Sequence, residues 1–174
     1  MALPSSGKMS LDMIRNEFGG SDPLDISQYY RGGGRVPEAA ANSNIPTSGK
    51  IEFSNFYGAT NEIQMTLGSA TDSQLSSIFG SAWADNVPKR LFVNGTVGAT
   101  STATPALLVN SGMGGTLVIE NSGSIQGAGG AAGTSGAGGD GGSAILVDQT
   151  SGVSIINTGS IYGGGGGGGA GGAG

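Results

Sequence analysis

The sequence predicts a mostly β protein with short N-terminal helices. Three features support this fold class: β-branched runs separated by Asn-Gly and Ser-Gly turns after residue 90, a repeat of those runs along the chain, and glycine tracts that follow the repeated strands. Recurrence of a strand unit is typical of stacked rungs, in which each unit covers the apolar face of its neighbour. We therefore expect a small β-solenoid-like or layered β repeat with packed polyglycine II tracts.

The repeat is clearest in the second half of the chain. Residues 117–127 align with residues 153–163 at an offset of 36, with six identities. An apolar strand precedes each copy, at residues 106–109 and 144–147, and a looser copy runs over residues 91–99. A single copy would leave both of its apolar ends uncovered, so we expect self-association.

Two tracts consist almost entirely of glycine and alanine. Residues 127–142 contain nine glycines in sixteen, and residues 163–174 contain ten in twelve. Such tracts can be flexible linkers, or they can form extended helices of three residues per turn that pack closely because glycine lacks a Cβ. Ordering the backbone costs about 1–2 kcal/mol per residue. We therefore expect a third tract, a symmetric oligomer or sequence beyond Gly174 to supply neighbours.

The first 62 residues contain a second repeat. Residues 3–11 align with residues 45–53, and each copy is a proline and glycine turn followed by a short apolar segment. In the first copy Ser10 is a predicted helix cap, and Gly19 is a predicted helix end. The apolar face of this short helix comprises Leu11, Ile14 and Phe18.

Two further short helices are predicted. Asp22 and Pro23 form a cap and first-turn pair that leads to Tyr30. Residues 71–80 form the other helix, with Asp72 as its cap and Leu75, Ile78 and Phe79 facing inward. Trp83 is expected to anchor the core of this junction.

Helices this short are marginal in water, so they need a partner surface. Either the two N-terminal copies pack on each other as a mini-domain, or they are docking segments that order against another protein. The candidate docking residues are the turn and apolar positions of the two copies: Pro4, Gly7, Leu11, Ile14, Phe18, Pro46, Gly49, Ile51, Phe53 and Phe56.

Composition excludes several function classes. The chain carries a net charge of −5, and all seven Lys and Arg residues precede residue 91, which disfavours nucleic-acid binding. It has no Cys and no His, so thiolate and imidazole chemistry are impossible and most transition-metal sites are disfavoured. No apolar run has the length of a membrane span. We expect no catalytic residues, cofactor or metal.

Two weak motifs lie near the glycine tracts. Residues 136–141 match the dinucleotide pattern G-x-G-x-x-G, but a strand follows them where that pattern requires a helix. Asp140 and Asp148 could form a carboxylate pair of the glycosidase type, although no feature of the sequence brings them together. Neither motif predicts a function.

Several segments resemble bacteriophage proteins. "LPSSGKMSLDMIRNEFGG", "DISQYYRGGGRVP" and "IPTSGKIEFSNFYGA" resemble segments near the starts of tail and fibre proteins of tailed phages. "NSGSIQGAGGAAG" and "NTGSIYGGGGGGGAGG" are similar to the glycine-rich motifs of receptor-recognising adhesins at the tips of T-even-like long tail fibres. In those adhesins polyglycine helices form a rigid scaffold, and variable loops contact the bacterial surface.

The resemblance implies a non-catalytic virion protein of the tail tip or tail fibre that contributes to host attachment. Its expected partners are other tail or baseplate proteins, copies of itself, with a trimer favoured, and a bacterial surface receptor. We expect residues 1–62 to dock on the virion, residues 63–90 to form a short helical junction, and residues 91–174 to form the glycine-rich β-repeat region. The alternatives are a capsid head-fibre or decoration protein, a polysaccharide depolymerase tailspike, and a secreted glycine-rich surface protein.

Overall fold

The computed structural model describes residues 2–171, and strands are the main regular structure in that range. The predicted mostly β fold with short N-terminal helices is confirmed. The helices are α1 (Leu11–Phe18) and α2 (Leu75–Phe79), with 3₁₀ helices at Ile26–Tyr29, Ala40–Asn42, Phe53–Phe56 and Gly80–Trp83. The strands are β1 (Ile63–Leu67), β2 (Ala70–Thr71), β3 (Ser73–Gln74), β4 (Lys89–Val93), β5 (Thr96–Gly98), β6 (Leu107–Val109), β7 (Leu117–Asn121), β8 (Ser124–Gln126), β9 (Ile145–Val147), β10 (Val153–Asn157) and β11 (Ser160–Tyr162).

These strands form three parallel sheets that the chain visits in turn. The first sheet has the order β1-β4-β7-β10, the second β2-β5-β8-β11 and the third β3-β6-β9. Each of the first three circuits of the chain therefore adds one strand to each sheet, and the fourth adds β10 and β11; we call one circuit a rung. The register of the strand pairs matches the offset of 36 residues seen in the sequence: Leu117 pairs with Val153, and Ser124 pairs with Ser160. The looser copy at residues 91–99 belongs to the rung below.

Apolar side chains stack between rungs inside the three sheets. Met65, Leu91, Ile119 and Ile155 lie in one register column, and the two middle members are fully buried. Burying an aliphatic side chain of this size stabilises a fold by about 1.5–3 kcal/mol. Trp83 packs on this core, as predicted, and its indole Nε1 donates a hydrogen bond to the Ser111 carbonyl at 3.1 Å.

The structure differs from the predicted helical junction over residues 63–74 and 84–90, which are not helical. Residues 63–67, 70–71 and 73–74 are strands of the first rung, and helical structure covers only residues 75–83. Asp72 does not cap α2, which begins after Gln74 without a side-chain cap. The Asp72 carboxylate instead accepts hydrogen bonds from the hydroxyl and the N–H of Thr100, which lower its pKa.

The first N-terminal helix agrees with its prediction. The Ser10 hydroxyl accepts a hydrogen bond from the N–H of Met13, and α1 ends at Gly19 with Ile14 and Phe18 buried. The second helix is a single 3₁₀ turn, and its cap is wrong in the prediction: Asp25, three residues after Asp22, accepts from the N–H of Ser27 at 2.9 Å.

The two N-terminal copies pack on each other around their own core. The ring of Phe56, from the second copy, lies 6.4 Å from that of Phe18 and 6.4 Å from that of Tyr29. Of the two alternatives left open by the sequence, the structure thus shows the mini-domain, which we call the N-terminal unit (residues 2–60). Its buried apolar residues are Leu3, Ile14, Phe18, Tyr29, Val36, Ile45, Phe56 and Ala59.

Polar contacts join this unit to the first rung. The Glu17 carboxylate accepts a hydrogen bond from the N–H of Asn61 at 2.8 Å and another from the Thr60 hydroxyl at 3.3 Å. On the outer face of the first sheet, Arg90 pairs with Glu62 at 3.0 Å and also with Glu120. These pairs connect three successive rungs. No helix within residues 2–171 has both the length and the hydropathy of a membrane span.

Candidate docking groove and glycine bundle

Each Pro-x-Ser-Gly-Lys turn of the N-terminal unit is held by a tyrosine. The hydroxyl of Tyr57 donates to the Gly7 carbonyl at 2.5 Å, and the hydroxyl of Tyr30 donates to the Gly49 carbonyl. Gly7 and Gly49 have φ values of +91° and +83°, which side chains with a Cβ rarely adopt. Both turns therefore have the same backbone shape and the same kind of anchor.

The anchoring tyrosines reveal a repeat that sequence reasoning missed. Residues 25–30 (Asp-Ile-Ser-Gln-Tyr-Tyr) and residues 52–57 (Glu-Phe-Ser-Asn-Phe-Tyr) each comprise an acidic N-cap, a 3₁₀ turn and the anchoring tyrosine. The offset of 27 residues between them differs from the offset of 42 between the turns. An alignment that allowed two offsets could have found this second pattern.

The candidate docking residues fall into three groups. Ile14, Phe18 and Phe56 are buried in the core, so their side chains are not available to a partner. Pro4, Gly7, Pro46 and Gly49 belong to the two turns, with both glycines exposed. Leu11, Ile51 and Phe53 lie together along one open groove.

This groove has a volume of about 750 Å³ and lies between the two copies. We call it the docking groove. Its apolar lining comprises Leu11, Pro23, Leu24, Ile26, Ile51 and Phe53. Phe53 is 44% exposed, which is unusual for a phenylalanine in a small folded unit.

Two carboxylates line the same groove. The backbone N–H and side chain of Ser27 lower the pKa of Asp25, and hydrogen bonding to the Lys50 ammonium at 2.7 Å lowers the pKa of Glu52. Both carboxylates are therefore ionised at neutral pH. An apolar floor with an ionised rim has the layout of a protein-binding surface.

The glycine tracts form three extended segments that hydrogen-bond to one another. The segments are residues 127–133, 136–142 and 163–170, and we call them the glycine bundle; residues 172–174 of the second tract lie outside the described residues. Segment 127–133 donates hydrogen bonds to segment 163–170, segment 163–170 donates to segment 136–142, and segment 136–142 donates to segment 127–133. One example of each is Gly130 N to Gly165 O, Gly167 N to Gly139 O and Gly139 N to Ala131 O, and each of these bonds is 2.8 Å long. The donors recur every third residue: Gly127, Gly130, Gly133, Gly139, Gly142, Gly164, Gly167 and Ala170.

The glycines inside this bundle have no room for a side chain. A Cβ at Gly164 would lie 1.8 Å from the Ala128 carbonyl oxygen, and one at Gly167 would lie 1.9 Å from that of Ala131. Gly165 and Gly168, in contrast, face open space. Close backbone approach therefore requires glycine at particular positions of the tract and tolerates alanine at others.

The two weak motifs acquire no active-site geometry. Residues 136–141, which match the dinucleotide pattern, are the middle segment of the bundle and precede no helix. Asp140 and Asp148 are both exposed. Within the part of the chain that the structure describes, no three acidic side chains are grouped closely enough to hold a metal ion.

A three-sheet stack of parallel strands carrying a glycine bundle defines a repetitive β protein. Residues 61–174 match the family model for the phage tail fibre adhesin Gp38, which covers well over half of the chain. The chain therefore belongs to the phage tail fibre adhesin Gp38 family. No curated protein and no solved structure matches it.

Family membership confirms the resemblance drawn from the sequence. The protein is a component of the bacteriophage tail or tail fibre with a role in host attachment. This location favours the tail over the capsid head fibre that the sequence left open. The match begins two residues before β1, so it covers the strand stack and the glycine bundle and leaves out the N-terminal unit.

Proposed function

We propose that this chain is a non-catalytic adhesin with an anchoring end and a projecting end. The N-terminal unit docks on another tail or baseplate protein through the docking groove. The strand stack is a small β-solenoid, and the glycine bundle is a set of packed polyglycine II helices that extends from it. The bundle supports contact with a bacterial surface receptor.

The hydrogen-bond network of the glycine bundle carries this proposal. Its donors recur at the three-residue period of a polyglycine II helix, and its three segments surround one another. Such an array offsets the high entropy cost of ordering glycine through many simultaneous backbone bonds. A stiff scaffold with few charges suits a projection that must reach a cell surface.

The docking role follows from exposed apolar surface in the N-terminal unit. Of the predicted docking residues that line the groove, Phe53 is exposed, whereas Leu11 and Ile51 are half-buried and pack against the core of the N-terminal unit. A groove of this kind that stays open in an isolated chain is typical of a protein interface.

A pair of alanine substitutions tests the role of the bundle. Gly164→Ala places a methyl group against the Ala128 carbonyl, whereas Gly165→Ala places one in open space. We expect phage particles that carry Gly164→Ala to lose host adsorption by tenfold or more, and particles that carry Gly165→Ala to adsorb normally.

Equal adsorption of both variants would contradict a packed glycine scaffold. Thermal unfolding of the purified chains separates a folding defect from a binding defect. Release of reducing sugar from host polysaccharide by the purified protein would contradict the non-catalytic part of the proposal.

A further inference from the structure

Three turns of the strand stack require glycine at the same position. These turns connect the first sheet to the second, and their glycines are Gly95, Gly123 and Gly159. A Cβ at Gly123 would lie 2.1 Å from the Gly95 carbonyl oxygen, and one at Gly159 would lie 2.1 Å from the Gly123 carbonyl oxygen. A Cβ at Gly95 would lie 2.4 Å from the backbone nitrogen of Ser69 in the rung below. Close stacking of the rungs therefore requires glycine at position 95.

The residue that precedes this glycine differs between the rungs. It is Asn94 in the second rung, Ser122 in the third and Thr158 in the fourth. Asn94 and Gly95 form the single Asn-Gly pair of the sequence. Asn94 is exposed, and within residues 2–171 its side chain makes no hydrogen bond. The second rung thus places a free side-chain amide directly before a glycine that the fold requires.

The backbone N–H of Gly95 also lacks the hydrogen bond that its counterparts make. The N–H of Gly123 donates to the Val93 carbonyl at 3.1 Å, and the N–H of Gly159 donates to the Asn121 carbonyl at 3.0 Å. Within the part of the chain that the structure describes, the N–H of Gly95 donates to no acceptor. The third and fourth rungs therefore hold this N–H in place, and the second does not.

A shorter turn in the first rung explains the difference. Residues 67 and 70 pair with residues 93 and 97, so the turn of the first rung is one residue shorter than the turn that stacks on it. The Leu67 carbonyl accepts from the N–H of Asn94 at 3.1 Å rather than from that of Gly95. The Gly95 nitrogen is therefore available for reaction with the side chain that precedes it.

We propose that Asn94 is a site of spontaneous deamidation in the folded protein. The Gly95 nitrogen attacks the side-chain amide carbon of Asn94 and gives up its proton. The amide nitrogen leaves as ammonia, and a five-membered succinimide ring remains. Water then opens the ring at either carbonyl, which gives aspartate or isoaspartate at position 94. The reacting groups are neighbours in one chain, and glycine has no Cβ to obstruct the attack.

Isoaspartate at position 94 changes the contacts of this turn. Its main chain runs through the Cβ, so the backbone of the second rung becomes longer by one methylene group. The Gly95 carbonyl accepts from the N–H of Ser124 in the rung above at 3.0 Å, and the N–H of Thr96 donates to the Ser69 hydroxyl in the rung below at 3.3 Å. Deamidation therefore weakens the stack on both sides. This inference concerns the strand stack alone and does not depend on the proposed attachment function.

Peptide mapping of the full 174-residue chain after storage tests the proposal. The protein is held in mildly alkaline buffer at a temperature at which circular dichroism shows it folded, and is then cleaved after glutamate. The peptide of residues 63–120 contains Asn86, Asn94 and Asn110, so two other asparagines serve as internal controls. We expect deamidation at Asn94 to exceed that at either control several-fold, with isoaspartate among the products. An intact Asn94, or equal deamidation at the three positions, overturns the proposal.

Asn94→Gln provides a matched variant with a second readout. Its amide lies one methylene farther from the backbone, so attack by the Gly95 nitrogen would have to close a six-membered ring, which forms far more slowly. The exposed position should accept glutamine without a change in the melting temperature of the fresh protein. On storage, the parent chain should lose thermal stability in step with its isoaspartate content, and the variant should keep it. Equal loss in the two chains overturns the proposed effect on the stack.

Discussion

At the residue scale, the buried Lys89 is the least expected feature. Its side chain is fully buried, and its ammonium donates to the carbonyls of Asp85, Val87 and Gly114 at 2.7, 3.1 and 2.8 Å. In the first sheet it occupies the same column as Leu117 and Val153. The ammonium group of Lys89 thus donates one hydrogen bond to each of three carbonyls where the loops before β4 and β7 meet.

Lys89→Met should therefore cost about 3 kcal/mol of unfolding free energy, because it removes the ammonium donor from the carbonyls of Val87 and Gly114, whereas the Asp85 carbonyl still accepts from the N–H of Val87 at 2.8 Å. Denaturant unfolding measures this loss. Lys50→Met is the matched control, since Lys50 is exposed and pairs with the exposed Glu52, and it should have a much smaller effect on stability. Similar effects of the two substitutions would show that the ammonium is not a structural cross-link.

Glu62 makes the stability of the fold depend on pH in the acidic range. Burial of this carboxyl raises its pKa, but hydrogen bonds from Arg90 and Gln64 outweigh burial, so the net pKa is lowered. A group whose pKa is lower in the folded state stabilises the fold above its unfolded pKa of about 4.3 and loses that contribution as pH falls.

The unfolding free energy should therefore decrease as pH falls below about 4.3. In Arg90→Met the decrease should be smaller, because the folded pKa of Glu62 is no longer held down by the guanidinium. Thermal unfolding between pH 3 and pH 7 tests this. Parallel pH profiles for the parent chain and the variant would contradict the assignment.

At the element scale, the sequence predicts a short helix correctly only where the residues that define its ends contact residues close to them in the chain. Ser10 and Gly19 delimit α1 through contacts within the helix, so the sequence was sufficient to place it. Asp72 is a residue type that often caps helices. Its carboxylate instead accepts hydrogen bonds from Thr100, which lies 28 residues away in the chain. β1 was missed although Ile63, Met65 and Leu67 alternate with polar residues, which is the pattern of a half-buried strand.

The residues of the candidate site were also predicted only in part. Apolar periodicity identified Ile14, Phe18 and Phe56 among the residues of the core, but it missed Val36 and Ala59 and cannot separate core from surface. Phe53 and Phe56 lie in one 3₁₀ turn and have the same residue type, yet one is 44% exposed and the other fully buried. The orientation depends on packing against Phe18 and Tyr29, which lie more than 20 residues away in the sequence.

This pair of phenylalanines provides the test of docking. Phe53→Ser should reduce incorporation of the protein into particles at least fivefold and leave the melting temperature within a few degrees, because Phe53 lines the groove. Tyr162→Ser, an exposed aromatic residue at the other end of the chain, should incorporate normally. Immunoblots of purified particles give the ratio. Normal incorporation of Phe53→Ser would contradict the docking groove.

At the scale of the whole molecule, the N-terminal repeat and the strand repeat have different structural roles. The N-terminal repeat closes on itself around Phe56, and the strand repeat stacks in one direction toward the glycine bundle. Repeat spacing predicted both, because parallel stacking at a fixed register preserves an offset in the sequence. The interlocking of the three glycine segments was not predictable, since a tract of glycine and alanine carries no side-chain pattern that selects partners.

The central claim is that the N-terminal unit is the anchoring end and the glycine bundle the projecting end. Immunogold electron microscopy of intact phage particles tests it directly, with one antibody against residues 1–60 and another against residues 87–162. We predict label at the tail fibres, with the second antibody farther from the tail axis. The reverse order of the two labels, or label on the capsid, would contradict the claim.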